Sequence, residues 1–543
     1  MLFTIGWVIA GVVAFLLLLT GLWFLFGRPA FSDGELSPRD SIELVKLALA
    51  VIAGVGGIVA LVVAYRRQKV NEAAHELAER AQQLNEQEHA LSKRAQELKE
   101  KEHQLVELDQ KRQDAKLFNE RFRDASGQLG SEQAAVRLAG VYAMASLADD
   151  WKDGRQQCID VLCAYLRMPY TPPAADPADD RAREREGIDD PKVWRGLQQK
   201  RAQERQVRHT VIRIIADHLR LVPANSRSWQ GYKFDFTAAV FDGGDFSEVS
   251  IDRDTVILFN KALFAGGEVN FRGAVFSGGK VDFGKAVFAA GVVNFRSASF
   301  TGGEVDFSNA RFSGGRVNFH YVNFIAGNVH FRAAVFSGGE VSFYDAALPG
   351  GHLNFSSAEL LGGTIAFDGA SLLGGEISFH STTISGDGEL KFVRATIVQG
   401  HVVFNFMSLY GGEISFLSAQ LLGGRVDFSG ARIYGGKLHF GQAEFAGGEV
   451  DFNEANFASG ELGFRSAEFT RGEIRFHRAR FYKGCVDFRG AKFDGGRVDL
   501  STPSDYKTPP MFDAEVLEDL PVGLVLCTQH PGSDAPDANS PTT

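Results

Sequence analysis

"FSGGKVDFGKAV", residues 276–287, decides the fold, because close variants of it precede and follow it at a fixed interval. Phe264, Phe276, Phe288, Phe300, Phe312, Phe324 and Phe336 stand twelve apart. Leu348, Leu360, Leu372 and Ile384 keep the slot. One extra residue then enters in "SGDGELKF", after which Ile397, Leu409, Leu421 and Ile433 resume the period and Phe445 to Phe493 close it. A second row runs Phe271, Phe283, Phe295, Phe307 and on to Phe379, steps by thirteen to Phe392, continues to Phe488 and ends at Leu500. Val or Ile stands two places before the second Phe (Val269, Val281, Ile365), and a small residue three places after it (Ala274, Ala286, Ala310). Fixed-period self-similarity of this kind marks a solenoid.

V-x-F and A-x-F are three-residue strands whose first and third side chains point the same way. A strand this short has no stability alone. Stacked coils bury Phe on Phe continuously, and each coil hydrogen-bonds the next. Phe271, Phe276, Phe283, Phe288, Phe295, Phe300, Phe307 and Phe312 are the expected structural core. The Gly-Gly pairs, such as Gly278-Gly279 and Gly302-Gly303, are expected to supply positive φ at the corners. A phosphate cradle would need a helix start behind them, and none follows.

Read as "VDFGK" plus "AVFAA" plus two residues, each unit resembles two pentapeptide repeats, with a large apolar centre, a small residue two before it, and Asn or Asp ahead of the centre (Asn270, Asp282, Asn294, Asp306). The chain resembles bacterial membrane-anchored pentapeptide repeat proteins. The resemblance implies a mainly β fold, a right-handed quadrilateral β-helix, over residues 234–500. The extra Gly-x pair is a departure, giving units of twelve where two pentapeptides give ten, so that four sides take two units and twenty-four residues. The competing geometry is a flat, two-sided coil of twelve. A two-residue corner such as Arg272-Gly273 spans only about 10 Å, the face-to-face spacing of two packed sheets with no slack, so the quadrilateral is preferred. Its interior should be solid.

The rest of the chain divides into segments. Residues 1–66 are expected to form a transmembrane hairpin. Its first span, about 2–27, is uncharged and longer than the roughly twenty residues that cross a bilayer, and lacks the positive n-region of a cleaved signal. Its second span covers about 47–65. Arg66, Arg67 and Lys69 outweigh the mixed loop between the spans, which places both termini in the cytoplasm. Ala50 with Gly54 and Ala53 with Gly57 have the spacing for close helix packing. Residues 67–123 read as a helical stalk, with Leu77, Leu84, Leu91, Leu98 and Leu105 repeating every seven residues as a coiled-coil seam. The partner seam position, Ala74, Ala81, Glu88, Ala95 and Glu102, is weak. His75, His89 and His103 lie about 21 Å apart and read as a solvated face. At 1.5 Å per residue the stalk reaches on the order of 80 Å.

Residues 124–225 form a small helical domain, with Ser131 as N-cap and Val136, Leu138, Val141, Ala145 and Ala148 on its apolar face. Further helices run around 158–166 and 207–219, and a Pro-rich, charged loop covers about 168–192. The words "RFRDASGQLGSEQAAVRLAGVYAMASLADD" and "CIDVLCAYLR" resemble the helical segment of the same proteins. The solenoid occupies 230–502, and a cap with a disordered tail occupies 503–543. Cys158, Cys163, Cys485 and Cys527 lack zinc-site spacing and are too few for a disulfide framework.

Nothing in the chain reads as catalytic or as binding a metal or cofactor, because its acids follow the period where a β-helix hydrolase or lyase needs a unique carboxylate cluster. The resemblance raises gyrase binding through an acidic, DNA-like rod. Residues 264–500, however, carry 23 Asp and Glu against 21 Lys and Arg, without the dense single-sign field that mimicry requires, and no nucleic-acid partner is expected. The expected partners are the lipid bilayer and an unidentified protein, with stalk and spans offering a route to homo-oligomers. The expected location is the bacterial inner membrane, multi-pass, with the C-terminal region cytoplasmic. Arg465, Arg471, Arg475, Arg478, Arg480 and Arg489 crowd the last coils and form the candidate protein-contact patch.

Overall fold

The structure, a computed structural model, describes residues 9–17, 20–21, 38–176 and 179–526. It divides into two compact units, Met1–Arg112 and Gln113–Thr543. Residues 9–17 and 20–21 are helical, and the remainder of the expected first span lies outside the described residues. Helix α1, Pro38–Leu129, has 92 residues and no proline after its first position. Its stretch from Leu49 holds an 18-residue window of mean hydropathy 2.1. Among the described residues this is the one helix long and apolar enough to cross a membrane, where the sequence suggested two spans. The seam residues Leu77 to Leu105 are all exposed.

In the second unit, Phe118, Ala125 and Leu129 of α1 join a core with α2 (Ala134–Asp150), α3 (Arg155–Arg167) and α5 (Pro191–Arg220), while α4 (Asp180–Arg185) lies within the charged loop. Val141, Ala145 and Ala148 are buried as expected, and Val136 and Leu138 are half-buried. The N-cap of α2 is Gln133, not Ser131. The Ser131 hydroxyl accepts a hydrogen bond from the Gln133 N–H instead (3.2 Å), so it shapes the approach to the helix. Cys158 and Cys163 are fully buried, and burial pushes both thiols up to about 12.

The repeats form a β-solenoid of about twelve turns. Backbone partners are twenty-four residues apart, Val287 with Arg311 and Phe288 with Phe312, so one coil consumes two sequence units and has four sides. The 12-stranded sheet from Val240–Phe241 to Asp505–Tyr506 is the first side, and the 11-stranded sheet from Gly244–Asp245 to Cys485–Asp487 is the second. The third side runs from Ser250–Ile251 to Lys492–Phe493, and the fourth, beginning at Lys233–Asp235, reaches Arg497–Asp499 and ends on Leu524–Val525. These two merge into one 22-stranded sheet, because Ser299–Asp306 and Asn323–His330 run unbroken around their shared corner. The extra residue at Ser385–Gly388 is taken up at a corner, and pairing resumes as Thr364 with Glu389.

The eight expected core phenylalanines are all buried, none above 1 % exposed. Rings in successive coils stack, Phe283 on Phe307 at 4.6 Å and Phe295 on Phe319 at 4.8 Å, while Phe283 and Phe295 meet edge-on at 85°. This herringbone satisfies the ring quadrupole in both directions. Where Thr382 replaces the small Ala, its buried hydroxyl donates to the Phe355 carbonyl (2.9 Å) and so keeps a partner.

The glycine pairs bear out the expectation in part: Gly267, Gly291, Gly303, Gly327, Gly412, Gly436 and Gly460 stand at positive φ on the corners, and other pairs do not. Each coil also has left-handed residues in its F-x-x-A turns, one per twelve-residue unit, at eighteen non-glycine positions from Ala238 to Arg478 with φ between 50° and 60°. The turn is closed by hydrogen bonds that outweigh the strain. At one such turn the Lys285 N–H reaches the Ser308 carbonyl of the next coil (3.0 Å), and the Ala286 N–H reaches the Phe283 carbonyl (2.9 Å). Neither Gly278 nor Gly279 has positive φ, and of the pair Gly302-Gly303 only Gly303 does (77°). Where φ is not positive, the pairs are glycine because coils touch there. A Cβ on Gly363 would lie 2.7 Å from the Gly339 carbonyl and 3.0 Å from the Phe336 Cβ.

Both ends of the stack are covered. Ahead of the first coil, Gln156 of α3 exchanges hydrogen bonds with the Lys233 backbone, and Arg220 of α5 donates to the Ser247 carbonyl. After the last coil, Phe512 stacks on Phe488 at 5.0 Å and Leu524 pairs with Val498. Open strand edges that invite further chains are removed by such covers.

Candidate interaction surface

With the interior filled, chemistry is left to outward residues. The Asn/Asp row is structural: Asp282 Oδ1 accepts the Gly284 N–H (2.7 Å), Asn294 Oδ1 the Arg296 N–H (3.0 Å) and Asp306 Oδ1 the Ser308 N–H (2.8 Å). Each carboxylate or amide thus satisfies the first N–H of its turn. Asp282 pairs with Asp306 and Asp427 with Asp451 in register, but the second oxygen of Asp451 takes Arg425 at 2.7 Å. Among the described residues, no three or more His, Cys, Asp or Glu side chains are grouped to hold a metal ion.

The six C-terminal arginines spread around the rod. Arg465 and Arg489 occupy the second-third corner and converge on Asp487, with Arg489 at 2.8 Å. Hydrogen bonds from Arg489, with Arg465 beside it, hold the Asp487 carboxyl well below the usual carboxylate range against the opposing effect of burial. Arg475 on the fourth side binds Glu449 and Glu473, and Arg478 at the fourth-first corner approaches Glu454 (3.8 Å). Arg480 on the first side donates to Ser504, while Arg471 is exposed at the third-fourth corner. Of the six, therefore, Arg465 and Arg489 share one carboxylate.

Sequence reading missed two groups. The first joins the helices to the first coil. Asp242, 7 % exposed, accepts from Tyr170 (2.7 Å) and meets His209 (3.1 Å) and Arg205 (3.2 Å), while the buried Arg208 lies 4.3 Å over the Tyr170 ring and donates to the Val240 carbonyl. Burial alone would raise the Asp242 carboxyl, but His209, Tyr170 and Arg205 together hold it below its ordinary value. In the cleft beside it, about 730 Å³, Arg205 and His209 are paired with Asp242, Arg213 donates to the Tyr142 hydroxyl and Asp245 pairs with Arg220. This group is scattered over the sequence and gives no local signal.

The second group is a stripe at the third-fourth corner. Ile325, Leu373 and Leu422 are 47, 46 and 40 % exposed, with Pro349 exposed and Val398 half-buried between them. Their stacking is fixed by the hydrogen bonds of the rungs: Leu373 N–H to Leu348, Val398 N–H to Leu372 and Leu422 N–H to Ile397. The third side next to the stripe shows Asn323, Ala347, Ser371, Thr396 and Gln420 on successive rungs, all uncharged. At its other margin stand Asp345 and Asp368 on consecutive coils, joined by the Asp345 N–H to the Asp368 carbonyl (3.0 Å). The stripe was legible only at a period of twenty-four, the coil, and not at the twelve of the unit.

No curated protein and no solved structure matches the chain. The family model for pentapeptide repeats (9 copies) matches residues 236–287, where the four-sided coils begin. Residues 236–287 thus match pentapeptide repeats, and they lie at the start of the β-solenoid.

Proposed function

We propose that the chain is a membrane-anchored interaction scaffold that presents a rigid rod to protein partners and has no catalytic role. The observation that carries this reading is the filled interior, stacked rings flanked by columns of Leu and Ile, which leaves the variable outward positions as the surface available for recognition. A repeat of this kind offers long flat sides rather than a pocket. The rod is a right-handed quadrilateral β-helix, as the family resemblance implies. The apolar stretch of α1 crosses the inner membrane of a bacterium together with a first span at 2–27, and Arg66, Arg67 and Lys69 keep the stalk and rod in the cytoplasm. Stalk or spans bring copies of the chain together. Within the arginine-rich coils, the contact centres on Arg465 and Arg489, which share Asp487.

Gyrase recognition through DNA mimicry gains nothing from the coils, whose charge is nearly balanced. The test is proximity labelling from the solenoid in the organism that makes the protein, comparing wild type with Arg465→Glu and Arg489→Glu together. A reproducible protein neighbour that the variant loses supports the scaffold and its contact. Hydrolase or lyase activity of the purified chain, with no specific neighbour, overturns it. A gyrase subunit as the dominant neighbour restores the topoisomerase reading.

A further inference from the structure

We infer that the third side between Asn323 and Gln420, with its apolar corner, is the docking surface for an amphipathic, cationic helix of a partner protein. This rests on the scaffold reading and assigns it a surface and a partner chemistry. Ile325, Pro349, Leu373, Val398 and Leu422 rise one per rung along a single corner. At an inter-strand spacing of about 4.8 Å the five span about 19 Å, the length of a helix of about thirteen residues. The helical pitch of about 5.4 Å nearly matches the rung spacing, so each turn of a docked helix sets one apolar residue against the stripe. Small side chains on the flat side, Ala347, Ser371 and Thr396, let the helix approach. An exposed apolar row with a polar rim is the signature of such a site.

The charge of the partner follows from the rim. Between Arg332 and Lys391 the chain has seven Asp and Glu and no Lys or Arg, and three of the seven border this side. Asp345 and Asp368 border the side at one margin, where Arg394 follows on the next coil, and Glu376, hydrogen-bonded to His352 (3.0 Å), borders it beyond the stripe. Lys or Arg flanking the apolar face of a helix meets acids on both margins. An anionic bilayer surface would meet the same acids and be repelled, which favours a protein over a lipid occupant.

The experiment uses the full chain in uncharged detergent with a photo-crosslinking amino acid at Ser371 on the third side, or at Thr383 on the first or Thr364 on the second. The probes are two helical peptides of about fourteen residues, Leu/Lys and Leu/Glu, with Leu on one face. The Leu/Lys peptide should be captured from position 371 at least tenfold better than the Leu/Glu peptide, and tenfold better than from 383 or 364. Leu373→Asp with Leu422→Asp should remove the capture, and Asp345→Asn with Asp368→Asn should reduce it about tenfold while leaving thermal melting unchanged. Equal capture from all three positions, or preference for Leu/Glu, overturns the assignment. The same crosslinkers in cells separate the two levels of the argument. Protein adducts from 383 or 364 but not 371 overturn this surface and keep the scaffold, whereas adducts from none overturn both.

Discussion

The rings of Phe307 and Phe331 stack one coil apart, with centroids 4.7 Å from each other and planes 2° from parallel. Phe307 also stacks on Phe283 at 4.6 Å and meets Phe295 and Phe319 edge-on. Its loss therefore opens a cavity that rigid neighbours on both sides cannot close. Phe307→Ala should cost about 3–5 kcal/mol in guanidinium unfolding followed by circular dichroism, and Phe307→Leu less than half of that, since Leu already stacks in this rod at Leu348 and Leu372.

Asp306 points outward, yet its carboxylate accepts the Ser308 N–H at 2.8 Å. Asp306→Ala should cost about 0.5–1.5 kcal/mol, more than a plain surface change. Asp306→Asn should be close to neutral, because Asn294 and Asn318 make the same bond. Unfolding curves in which Ala and Asn coincide would show that the turn does not need this acceptor.

Two glycines give opposite expectations from their names. Gly363, at negative φ, has no room for a methyl group, and Gly363→Ala should cost roughly 1–3 kcal/mol. Gly273, at φ 67°, meets nothing closer than the Glu248 Cγ at 3.5 Å, and Lys285 and Ser297 occupy the equivalent turn position. Gly273→Asn should stay within about 0.5 kcal/mol. Melting temperatures of the two variants decide between close packing and backbone conformation as the reason for glycine.

Asp487 sets a pH dependence. Its carboxyl is depressed in the folded chain by Arg489 and Arg465, so the unfolded state binds the proton first. The stabilisation is fully present above the unfolded value of about 3.9 and is lost progressively as pH falls below it. Wild type should lose more stability than Asp487→Asn between about pH 5 and pH 2, measured as the difference in denaturant midpoints.

Thiol chemistry separates the cysteines. Cys158 and Cys163, fully buried with thiols pushed up to about 12, should resist maleimide at pH 8 in the native chain, while the half-exposed Cys485 reacts. Mass spectrometry of the labelled peptides reads the order, and rapid modification of Cys163 would contradict the helical core described above.

The sequence by itself determined the solenoid, its register from Phe264 to Leu500 and the identity of every core column, because burial forces an apolar side chain to recur wherever the chain returns to the interior. The place of the inserted residue near Gly386 was equally plain, since a slipped register would turn every later Phe outward. Tertiary structure alone decided the rest. Twelve residues as repeat and twenty-four as coil are separable only by which strands pair, and that pairing is what aligns Ile325, Leu373 and Leu422 into one stripe and disperses Arg471, Arg475, Arg478 and Arg480 over separate sides and corners. The glycine pairs, too, hid their reason, because the atoms that exclude a side chain at Gly363 belong to Phe336 and Gly339, one coil away. Local sequence encodes which residues are inside, but contacts between coils encode which outward residues become neighbours.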